Sequence, residues 1–105
     1  MSGPSEADLI RDFEIELEIL CDAWEGIGIF TKRLRANIEK YGAVATAKRY
    51  GGGPQQEQFQ EGLKKALSQL GPEMTIEGLI VEERFRPLFK ASEIEAARAR
   101  LSNPL

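Results

Sequence analysis

The chain has 105 residues, 42% of them apolar, a net charge of −3 and one cysteine. That length suits one domain with one modest core, and no apolar run approaches the roughly 20 residues a membrane helix needs. The lone Cys21 rules out an internal disulfide, and the absence of histidine removes Ser-His-Asp and Cys-His catalysis and the commonest transition-metal ligand.

The opening MSGPSEAD has neither a basic region nor an apolar stretch, so no secretory leader is expected. With one cysteine, a reducing cytoplasm is the default setting. Residues 1–5 and 102–105 are expected to be loose ends of a single domain spanning 1–105.

From Phe13 to Ile19, apolar and acidic residues alternate strictly, which is strand periodicity. The flanking residues decide against it. At about 100° per residue, Ile10, Phe13, Leu17, Leu20 and Trp24 fall within roughly 80° of one another, with Leu9 and Cys21 beside them. Ser5 supplies an N-cap, with Asp8 three residues on. The spacing predicts a helix from Glu6 to Glu25. It leaves Ile15 and Ile19 one turn apart on the opposite face. Either another helix of this domain covers them, which is the simpler expectation, or a second chain does.

Phe30, Leu34, Ile38 and Tyr41 make the apolar stripe of a second helix, predicted over Ile29–Tyr41, with Gly42 ending it in the left-handed conformation. A short third helix, Ala43–Tyr50, stops at Gly51-Gly52-Gly53. Pro54 suits the first turn of a fourth, running to Leu70 and lined by Phe59, Leu63, Ala66, Leu67 and Leu70. Gly71-Pro72 closes it. Thr75 caps a short helix carrying Ile76, Leu79 and Ile80. Pro87 disfavours helical geometry at Arg86, so that helix ends before it, and Leu88 and Phe89 anchor a turn. Ser92-Glu93-Ile94-Glu95 reads as a capping box for the last helix. There Ile94, Ala97 and Leu101 face inward, and Arg98 and Arg100 sit late, where positive charge suits the dipole. The fold class expected is all-α, a compact bundle of five to six helices, two of them short.

Charge is unevenly spread. Residues 1–25 hold eight acids and one base, and residues 31–50 hold six bases and one acid. The plain reading is attraction between neighbouring segments. The alternative is a nucleic-acid face on the helix-turn-helix outline of 31–50, using Lys32, Arg33, Arg35, Thr46, Lys48 and Arg49. KRYGGGP has the wrong order for a phosphate loop, because its bases precede the glycines. Glu14 and Glu18 share a helix face but no pocket, so they read as solvated. Cys21 and Trp24 read as core. In RFRPLF, Phe85 and Phe89 point inward and the arginines stay wet.

Three stretches carry a resemblance: EKYGAVATAKRY, MTIEGLIVEERFRPLF and EIEAARARL. Together they resemble a family of short, uncharacterised bacterial all-helical proteins, with a YG turn before an AKR run, then T-x-E-x-L, then LF and E-x-x-x-AR-x-RL. The resemblance covers about Phe30 to Leu101, and Gln55 to Gln69 departs from the family's pattern. It implies an independent helical unit. The family has no assigned activity, cofactor or catalytic residue, so no site residue carries over.

Two functional classes follow. The first is a non-enzymatic protein–protein interaction or assembly module, whose self-associating form is a homodimer through Ile15 and Ile19. The second is a nucleic-acid-binding accessory protein acting through the basic segment. No catalytic residue, cofactor, metal site or membrane partner is expected.

Overall fold

A computed structural model describes residues 5 to 51 and 57 to 102, and of 57 to 61 the backbone only. Six α-helices follow in order: α1 Glu6–Gly26, α2 Lys32–Tyr41, α3 Ala43–Tyr50, α4 Glu57–Gln69, α5 Ile76–Val81 and α6 Ala91–Ser102. Two 3-10 helices, Pro72–Met74 and Glu83–Leu88, flank α5. Among the described residues there is no strand, so the alternation at Phe13–Ile19 yields to the helical period. The fold is all-α, with α3 and α5 the short members. Its radius of gyration, 12.9 Å, is close to the roughly 13 Å of a compact chain this long.

Helix α1 is the spine. The Ser5 hydroxyl accepts from the Asp8 N–H at 3.2 Å, which is the expected N-cap. Leu9, Phe13, Leu17, Leu20, Cys21 and Trp24 are buried along one side. Phe13 is wholly buried and takes two edge-on aromatic neighbours, Phe85 at 5.0 Å and Phe89 at 5.4 Å. The inward reading of Phe85 and Phe89 therefore holds. Helix α5 is the hub on the other side, packing on α6, α3, α1 and both 3-10 helices. The Thr75 hydroxyl caps it by accepting from the Gly78 N–H at 2.8 Å.

Several expectations are corrected. Helix α2 begins at Lys32, not Ile29. The backbone first closes α1, with the Gly28 N–H on the Glu25 carbonyl and the Ile29 N–H on the Trp24 carbonyl. Gly28 takes φ +87° in that connection. Phe30 is thereby carried out of the α2 stripe and is 98% exposed. Tyr41 also lies outside the core, its ring beneath the Arg49 guanidinium at 4.8 Å. Gly42 does end α2 at positive φ, as expected, but its ψ of 160° lies outside the left-handed helical basin, in a region open to glycine. That geometry lets the same residue open α3, its carbonyl accepting from the Thr46 N–H.

Helix α5 ends at Val81, before Pro87 as expected, but Arg86 and Pro87 then lie inside the second 3-10 helix rather than in an open turn. At the start of α6 the residue outside the helix is Lys90, not Ser92. Glu93 reaches back to the Lys90 N–H at 2.7 Å, which is the acidic half of a capping box, while Ser92 is exposed within the helix. Arg100 sits in the last turn of α6 as expected, but it is buried. Gly52, Gly53, Pro54 and the side chains of Phe59 and Glu61 lie outside the described residues. So do residues 1–4 and 103–105, whereas Ser5 caps α1 and Ser102 belongs to α6.

Candidate functional site

The turn spacing that packs Phe13, Leu17, Leu20 and Trp24 inward puts Asp8, Arg11, Asp12, Ile15, Ile19 and Asp22 on the opposite side of α1. All six are exposed. Ile15 is 51% and Ile19 47% exposed, so no described part of the chain covers them, and the expectation of an intramolecular cover is overturned. The reason is topological. Helix α1 packs on α3, α5 and the second 3-10 helix through its apolar seam.

The acids on this helix fall into two groups. Toward its C-terminus, Arg35 of α2 donates to Glu18 at 3.1 Å, Asp22 at 2.7 Å and Glu25 at 2.8 Å. One guanidinium thus spans two turns of carboxylates, and its fork geometry suits that task. The Arg35 hydrogen bond, and then that of the Thr31 hydroxyl, hold the Glu25 carboxyl below its ordinary range. Toward the N-terminus, Glu6, Asp8, Asp12 and Glu14 are exposed and carry no ion pair among the described residues. On the flank between, Arg84 binds Glu16 at 3.3 Å while stacking over Phe85.

The residues of the basic segment differ in their surroundings. Lys32 and Arg33 are exposed, and Arg35 is engaged by α1. Lys48 leans toward Glu93 at 3.8 Å, and Arg49 stacks on Tyr41. Thr46 is completely buried, and its hydroxyl has no hydrogen-bond partner among the described residues. Attraction between the acidic and basic segments is thus visible at Arg35, and Thr46 is not on any surface.

A cleft of about 190 Å³ opens between the end of α1, α4 and α5, lined by Trp24, Ile29, Phe30, Tyr50, Ile76 and Glu77 among others. The Trp24 indole donates to the Met74 carbonyl at 2.8 Å, and Asn37 donates to the Tyr50 hydroxyl at 2.9 Å. At its edge Glu77 is only 6% exposed. Burial raises its carboxyl above the ordinary range, against the opposing pull of Arg100 at 3.9 Å. This pair escaped the sequence reading. The signal was there for Arg100, which follows Ala97 by three positions and so falls on the inner face of α6. A glutamate in a six-residue helix offers no comparable signal. Cys21, the chain's only thiol, is buried and pushed up to about 11 by that burial, so at neutral pH it stays protonated.

No family model, curated protein or solved structure matches this chain. Among the described residues, no helix is long and apolar enough to cross a membrane.

Proposed function

We propose that this chain is a small, non-enzymatic protein–protein interaction module whose docking face is the outer side of α1. The observation that supports it is the exposure of two β-branched apolar residues, Ile15 and Ile19, one turn apart on a helix whose other side is fully committed to the core. Covering the exposed half of each contributes about 1 kcal/mol, which favours a partner and adds nothing to the lone fold. The basic segment supports a binding role less well, because Arg35 and Lys48 are drawn to separate intramolecular partners and Thr46 is hidden.

The test is a photoreactive residue placed at position 15 or 19 in cells, with the same residue at exposed Glu39 as the control. The expected result is a discrete adduct from positions 15 and 19 and none from 39. Equal labelling from all three positions, or none, overturns the reading.

A further inference from the structure

The identity of what docks on α1 can be narrowed by charge, granted the reading of that face as a docking surface. A second copy of this chain fits poorly. Two-fold pairing would set the strip containing Asp8, Asp12, Ile15 and Ile19 against itself, with acids opposing acids and Arg11 the one base on the strip. Arg35 adds little relief, because its charge is already shared among Glu18, Asp22 and Glu25. The uncompensated charge is therefore confined to the N-terminal half, next to Ile15. From Asp8 to Ile19 the helix runs roughly 16 Å, about three turns.

We propose that the occupant is a basic amphipathic helix of another protein, about three turns long, which lays apolar side chains on Ile15 and Ile19 and Lys or Arg on Asp8 and Asp12. Arg35 shows how such a contact is made, since its guanidinium already lies across α1 and bridges carboxylates on successive turns. The two features act differently. The isoleucines reward only a partner whose apolar residues recur every three or four positions, while the acids speed encounter and select sign.

The probe is a 14-residue peptide of leucine and lysine, with leucines at helical spacing, and a scramble of the same composition whose leucines share no face. Binding is followed through the methyl signals of Ile15 and Ile19. Both signals should shift with the patterned peptide, and the scramble should bind at least about tenfold more weakly. Asp8→Asn/Asp12→Asn and Ile15→Ser/Ile19→Ser should each weaken binding about tenfold, and only the first should flatten its salt dependence. Equal binding of the two peptides, shifts confined to other residues, or no shift at about millimolar peptide overturns the proposal. So does a wild-type dimer in sedimentation that Ile15→Ser/Ile19→Ser dissociates. In any of these cases, a persisting adduct from position 15 leaves the docking face standing and removes only the basic helix, whereas loss of the adduct removes both.

Discussion

The Arg100 guanidinium donates a 2.8 Å hydrogen bond to the backbone carbonyl of Tyr50, joining the last helix to the end of α3 across 50 positions of chain. The same nitrogen lies 3.9 Å from the Glu77 carboxylate. Three elements, α3, α5 and α6, thus meet around one buried cation.

Removing that cation leaves Glu77 buried and uncompensated. Arg100→Met should cost about 3 kcal/mol in urea unfolding. The double variant Arg100→Met/Glu77→Gln should recover most of the loss, because no lone charge then remains inside. Additive losses in the double variant would show that Arg100 stabilises the fold independently of Glu77.

Glu77 and Glu25 make opposite contributions to the pH dependence of stability. Burial raises the Glu77 carboxyl, so between its unfolded and folded values the native state holds more protons than the unfolded chain. Stability then falls as pH rises through that window and levels off above it. Arg35 and Thr31 lower Glu25, so its contribution is present above the ordinary carboxylate range and is lost as pH falls through its folded value. Urea midpoints from about pH 3 to 8 should show a rise and then a decline. Glu77→Gln should abolish the decline, and Arg35→Ala should shift the Glu25 carboxyl titration upward in a carbon-detected NMR experiment.

Thr46 carries a buried hydroxyl with no partner among the described residues. Thr46→Val replaces it with a methyl of similar shape and removes an unmet desolvation cost. The expected outcome is a gain of about 1 kcal/mol in thermal or urea unfolding. A loss of stability would mean that the hydroxyl is satisfied in solution.

Gly78 is a glycine for reasons of contact. A Cβ there would stand 2.0 Å from the Pro72 carbonyl oxygen and 3.0 Å from the Thr75 hydroxyl, and the Pro72 backbone cannot swing aside as a flexible side chain could. Gly78→Ala should destabilise by about 2 kcal/mol or more, despite alanine's better helix propensity. Calorimetry measures it directly.

Ile15 and Ile19 make the contrasting case. With half of each side chain already in solvent, Ile15→Ser/Ile19→Ser should change the unfolding free energy of the isolated chain by no more than about 2 kcal/mol. A loss of several kcal/mol would place these residues in the core rather than on an interface.

Local sequence determined much of this protein. The 3.6-residue period assigned Phe13, Leu17, Leu20 and Trp24 to the core and Ile15 and Ile19 to the far side. Ser5 and Thr75 declared the starts of α1 and α5, because a cap needs only a side chain and a backbone N–H within three residues. Periodicity misread Phe30, since the closure of α1 through Gly28 took that residue before α2 could begin. Tertiary structure alone decided that nothing in the described chain covers Ile15 and Ile19, that Arg35 gathers Glu18, Asp22 and Glu25, and that Arg100 goes inside to Tyr50 and Glu77. These are pairings between separate helices. A helical period states which way a side chain faces, and the packing of the other helices decides what, if anything, stands there to meet it.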